Sequence, residues 1–161
     1  MYRFIWDDFC DWYIEMSKET LAGDDEAAKL TTRSILVYVL DNTLRLLHPI
    51  MPFVTEEIWQ SVPHVGESLV VATYPTVHPE QMDEKAAEEM EFLMDFIRSV
   101  RTVRNEMNTP LSKPINIIAK VSDVAHYAVL KENESYIARF SNPEEFVYGE
   151  DVEAPSDAVT S

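Results

Sequence analysis

The sequence predicts a mainly α protein: a helical bundle to about residue 109, then a small α/β appendage. Three observations carry this reading. Apolar residues recur at spacings of three and four through most of the first 108 positions, the period of helices with a buried face. The period then changes at Ile115-Asn116-Ile117-Ile118-Ala119-Lys120-Val121, a β-branched run that follows Pro110 and Pro114 and reads as a strand. Only three glycines occur in 161 residues, too few for a turn-dense all-β fold or for a Gly-rich phosphate loop.

Residues 2–21 form the first expected helix, with Ile5, Phe9, Trp12, Tyr13 and Met16 at helical spacing. Gly23 suits its C-terminal cap, and Asp24 or Asp25 can cap the next helix, with Glu26 in an acidic first turn. That helix runs to about Leu47. Its second half, Ile35 to Leu40, is apolar nearly all round, the pattern of a buried helix. His48-Pro49-Ile50-Met51-Pro52-Phe53 breaks it, because proline cannot continue a helix interior. A short helix over about 53–62 should turn Ile58 and Trp59 inward. Leu69-Val70-Val71 reads as extended. A long helix over about 83–108 carries the stripe Met90, Leu93, Ile97, Val100, Val103 and Met107. After the strand at 115–121 comes a helix at 123–141, broken near Asn133, and a second strand at Phe146-Val147-Tyr148. The domain boundaries expected are 1–109 for the bundle, 110–149 for the appendage and 150–161 for a flexible tail, which is acidic and nearly without large apolar residues.

Composition narrows the function. Thirteen Lys and Arg against 29 Asp and Glu give a net charge of −16. Such acidity argues against non-specific DNA binding, which needs a basic footprint, but leaves room for a local nucleic-acid site. A single cysteine excludes an internal disulfide framework and a Cys-rich zinc site. His48, His64, His78 and His126 are scattered, so neither a metal site nor a catalytic constellation is expected. No run of 18 apolar residues and no secretory signal are present, which points to a cytoplasmic protein without a membrane partner.

Two stretches stand out for binding. Arg98, Arg101 and Arg104 lie three apart on the long helix, while the preceding stretch from Glu80 to Ile97 holds one Lys and no Arg. They read either as a phosphate-contacting edge or as a solvated face paired with Glu91, Asp95 or the acidic appendage. The first helix carries Phe4, Trp6, Phe9, Trp12 and Tyr13, more aromatics than one buried sector holds. Either neighbouring helices cover Trp6, Phe9 and Tyr13, or part of this surface meets unstacked bases.

Leu46-Leu47-His48-Pro49-Ile50-Met51-Pro52-Phe53-Val54-Thr55-Glu56-Glu57-Ile58-Trp59 resembles the signature of the anticodon-binding helical bundle of class I aminoacyl-tRNA synthetases. Phe4-Ile5-Trp6-Asp7-Asp8-Phe9-Cys10-Asp11-Trp12-Tyr13-Ile14-Glu15 is similar to the valyl members, as is Ile97 to Asn108 followed by Pro110. The resemblance covers essentially the whole chain. It implies recognition of the tRNA(Val) anticodon inside a ligase whose catalytic domain, absent here, joins valine to tRNA with ATP and magnesium. It also implies that catalytic and editing domains belong to the parent, and that a helix opening the family bundle precedes Met1. The two nucleotide-binding motifs of the parent are missing; Met16-Ser17-Lys18 sits inside an aromatic helix with the wrong flanking residues. This chain alone is therefore expected to be inactive and to carry no cofactor. An isoleucyl or leucyl relative, or a free-standing acidic protein-interaction domain, are the alternatives.

The resemblance places the Trp12-Tyr13-Ile14-Glu15 stretch beside the anticodon, whose last two bases for valine are A and C. Both bases show an exocyclic amino group, which a carboxylate accepts well. Glu15 is thus assigned as acceptor, Ile14 as packing platform and Lys18, one turn on, as a neighbour of the phosphate. Arg98, Arg101 and Arg104 are assigned to the tRNA backbone.

Overall fold

A computed structural model of the protein describes residues 1–155, 158 and 159. Part of the expected tail, residues 156, 157, 160 and 161, lies outside the described residues. The chain divides into two compact units, Met1–Pro79 and Glu80–Ser161, so the long helix groups with the strands that follow it.

In the first unit, helix α1 joins a π-helical stretch, Phe4–Ile14, to an α-helical one, Glu15–Ala22. A π turn holds more residues than an α turn. Rings spaced by five and four therefore align, and Phe4 stacks on Phe9 at 6.5 Å and Phe9 on Tyr13 at 6.2 Å. Phe9, Trp12 and Met16 are buried. Trp6, one of the aromatics expected beneath neighbouring helices, is instead 58% exposed and stacks on Tyr2. Gly23 ends the helix in an extended conformation, its N–H donating to Glu19 and Thr20 carbonyls, so no left-handed cap is used.

Helix α2, Glu26–Leu47, starts on Asp25, whose carboxylate accepts from the Ala27 and Ala28 amides. This cap is worth roughly 1 kcal/mol. The run Ile35–Leu40 is not buried all round: Ile35 and Tyr38 are exposed, because α2 packs its inner side on α1 and α3 and leaves the opposite side open within this unit. Helix α3, Pro52–Gln60, opens with proline at its first turn, where the missing N–H costs nothing. Trp59 is fully buried and forms a core cluster with Leu44 and Leu69, flanked by Leu40 and Ala72. Ile58 is a correction to the sequence reading. It is 40% exposed, and Thr55, four residues before Trp59, takes the second inward position. Leu69–Val71 is a 3₁₀ turn rather than an extended segment, capped by the Ser68 hydroxyl accepting from the Val70 amide.

The second unit opens with α4, Glu84–Glu106, capped by the Asp83 carboxylate on the Ala86 amide. Leu93 and Ile97 of the expected stripe are fully buried, while Met90 and Met107 at its ends are exposed. Strand β1, Ile115–Lys120, is followed by α5, Val124–Glu132, α6, Glu134–Ser141, and strand β2, Pro143–Gly149. The two strands pair in parallel, with an irregularity between Ile115 and Asn116. A parallel pair requires a crossover, which α5 and α6 supply. Alternation buries Ile117 and Ala119 of β1, and α4 packs against α5 and α6. Asn142, at φ 44°, makes the left-handed exit from α6, and its side-chain amide donates to the Leu111 carbonyl.

Candidate nucleic-acid interface

Ile14, Glu15 and Lys18 fall within one turn of α1, just where π geometry gives way to α. The intervening Met16 and Ser17 are buried, and the Ser17 hydroxyl donates to the Tyr13 carbonyl at 2.6 Å. With those two turned inward, Ile14 and Glu15 are left half-buried and Lys18 exposed. The Lys18 ammonium donates to the Glu15 carboxylate at 2.5 Å. An exposed pair of this kind is worth under about 1 kcal/mol, so another donor can replace the lysine on Glu15 at small cost. The structure thus brings the three residues together.

It separates the arginines. At about 100° per residue, positions three apart drift around a helix, and six residues amount to roughly 120° of rotation. Arg98 lies on the surface and pairs with Asp95 at 2.6 Å. Arg101 is half-buried, its guanidinium 5.2 Å from the Phe140 ring centroid. Arg104 is 4% exposed. Its Nε donates to the Ser141 carbonyl, one terminal nitrogen to Pro110 and Lys113, the other to Ser141 and Asn142, at 2.7–3.2 Å. These five bonds use every N–H of a guanidinium. The assignment of Arg104 to a phosphate is therefore corrected: it has no donor left, and it ties α4 to the end of α6 and the chain leading into β1. Sequence spacing alone gave all three the same role; the rotation implicit in that spacing was the signal that separates them.

The His-Pro-x-Met-Pro-Phe-x-Thr run has its own internal chemistry. The Thr55 hydroxyl donates to the Met51 carbonyl at 2.8 Å, so the His48 Nδ1, 2.8 Å from Thr55 Oγ1, must be the donor of that pair. Among the described residues, His48 Nε2 is buried without a partner. At the next residue, the Glu56 carboxylate accepts from Gln60, the Ser68 hydroxyl and the Leu69 amide. These bonds, that from Gln60 foremost, hold its carboxyl below the usual range. Trp59 Nε1 donates to Asp41 at 2.5 Å, and Arg45 Nε donates to the other oxygen of the same carboxylate at 2.8 Å. The signature is a structural corner: it fixes α2, α3 and the 3₁₀ turn to one another. The Asp41 network was missed in the sequence, although the four-residue spacing of Asp41 and Arg45 was open to view.

The fold and this corner belong to a known class. The family described as "Anticodon-binding domain of tRNA ligase" matches residues 1–119, and the chain belongs to that family. Over all 161 residues it is 64% identical to a valine–tRNA ligase of Enterococcus faecalis, 60% to that of Geobacillus stearothermophilus and 59% to that of Bacillus cereus. The chain spans 18% of the length of each of these relatives. Among the described residues, no helix is long and apolar enough to cross a membrane.

Proposed function

We propose that this domain reads the anticodon of tRNA(Val) in the cytoplasm, as part of a ligase that joins valine to tRNA using ATP. The observation that carries the reading is the single turn of α1 that presents a base acceptor, an aliphatic platform and a cation together, Glu15, Ile14 and Lys18. The carboxylate accepts from the exocyclic amine of A or C, Ile14 supports the base face, and Lys18 neutralises a neighbouring phosphate. Arg98 and Arg101 contribute contacts to the RNA backbone that are independent of base identity.

Activation of valine and editing fall to the catalytic and editing domains of the longer chain, which would also hold ATP and magnesium. Among the described residues, no group of three or more His, Cys, Asp or Glu is placed to hold a metal ion.

The test is binding of the whole ligase to tRNA(Val) transcripts altered at the two last anticodon bases. Replacing either amino-bearing base with one that shows a carbonyl should weaken binding by roughly ten- to a hundredfold, the size of a good base contact. Equal affinity for all transcripts would refute anticodon reading.

A further inference from the structure

Helix α3 is apolar on two sides, and its own unit covers only one of them. At about 100° per residue, Thr55 and Trp59 share the inner side, and both are buried. Phe53, Val54, Glu57 and Ile58 fall within one sector of about 140° on the other side. Phe53 is 90% exposed, Val54 50% and Ile58 40%. A helix with apolar residues all round is one that neighbours surround, and a clustered apolar surface marks a place of interaction. No roll of the helix can relieve this exposure, because bonds fix its back. The Thr55 hydroxyl is bonded to Met51 and His48, the Glu56 carboxylate to Ser68 and Leu69, and the Trp59 indole to Asp41.

Charge narrows the choice of occupant. From Leu46 to Glu84 the chain holds six acidic residues and no Lys or Arg. A phosphate backbone needs cations, so this face does not suit RNA. Glu57 stands within the apolar sector, and among the described residues no ion pair or hydrogen bond engages its carboxylate. A two-fold pairing of copies through this face would bring two Glu57 carboxylates near its axis, so a second copy is disfavoured. The chain spans 18% of the length of the valine–tRNA ligases it matches, so in a ligase of that length most of the chain is available to cover the face.

We infer that the outer face of α3 is the seat of another part of the same ligase chain, one that presents an apolar surface with a Lys or Arg opposite Glu57. The inference rests on the reading of this domain as part of a longer ligase, and not on the α1 turn. Helix α2 packs on both α3 and α1, so a body docked on α3 sets where the anticodon-reading helix stands relative to that body.

The test uses the whole ligase. The photo-crosslinking amino acid p-benzoylphenylalanine replaces Phe53, and crosslinked peptides are mapped by mass spectrometry with and without tRNA(Val). A crosslink within the same chain, to a peptide outside these 161 residues, is expected. A crosslink only to residues 80–161, to a second ligase molecule or to the tRNA overturns the inference, as does the absence of any crosslink. In the unmodified ligase, hydroxyl radicals should label Phe53 several-fold more slowly than in the same ligase unfolded in urea; labelling at the unfolded rate overturns the inference. Phe53→Asp should lower kcat/KM for aminoacylation of tRNA(Val) roughly tenfold, the scale of one buried aromatic side chain, with valine-dependent pyrophosphate exchange unchanged. Wild-type aminoacylation in that variant overturns it too. If altered anticodons bind as well as the native one yet Phe53 crosslinks outside the domain, the docking face stands and the anticodon reading falls. If anticodon changes weaken binding while Phe53 labels at the unfolded rate, the docking face alone falls.

Discussion

Truncating Arg104 to alanine should unfold the second unit well below the temperature at which the wild type unfolds. The guanidinium satisfies four carbonyls with five bonds. Pro110 and Lys113 are exposed, so water can replace the arginine on their carbonyls. Asn142 O keeps a long bond of 3.4 Å from the Ile115 amide. Ser141 is fully buried and loses both donors at once. An orphaned buried carbonyl costs about 1–3 kcal/mol, and the vacated stem adds a cavity term. Together these suggest a loss of about 2–4 kcal/mol. For a unit of this size that is a fall of roughly 10 °C or more in melting temperature. Arg104→Lys should recover only part of it, because an ammonium has three donors and no planar fork. Arg98→Ala, on the surface of the same helix, should cost no more than about 0.5 kcal/mol. Thermal unfolding followed by circular dichroism, with hydrogen exchange at the β1 and β2 amides, measures both. An Arg104→Ala variant no less stable than Arg98→Ala would refute the buried-clamp account and return Arg104 to the surface.

Three further outcomes are expected. Thr55→Val removes the acceptor of His48 Nδ1 and the donor to Met51 O, and should cost about 1–3 kcal/mol by denaturant titration; a change below about 0.5 kcal/mol would show that the corner does not depend on this bond. The Tyr148 hydroxyl donates to Glu134, which pushes its pKa up to about 12 from 10. Because the folded value is the higher one, this contact stabilises the fold fully below pH 10 and is lost as pH rises toward about 12; ultraviolet titration should find one late tyrosine that Glu134→Gln brings back toward 10. The purified 161-residue chain should show no valine-dependent exchange of pyrophosphate into ATP, and any such exchange would contradict the placement of catalysis elsewhere.

Helices and strands were legible because their signals are local. Asp25, Asp83 and Asp123 announce helix starts by their own side chains, and the β-branched run at 115–120 announces β1. Burial was less legible because it depends on which neighbour arrives. Ile58 and Trp59 are equally apolar, yet only Trp59 faces Asp41, Leu44 and Leu69. The π-helical start of α1 left no periodic mark, since spacings of four suit both helix types. Of the candidate site, the Ile14, Glu15 and Lys18 turn could be placed from sequence because it lies within five residues of one helix. The fate of Arg104 could not, because four carbonyls that bind it lie between 6 and 38 positions away.

The most direct measurement is aminoacylation by the whole ligase carrying Glu15→Ala, with kcat/KM compared for tRNA(Val) and for transcripts altered in the last two anticodon bases. Glu15 acting as base acceptor predicts that discrimination falls by roughly 1–3 kcal/mol, about five- to 150-fold, while valine-dependent pyrophosphate exchange is unchanged. Wild-type discrimination in that variant would contradict the account and remove the α1 turn from the recognition surface.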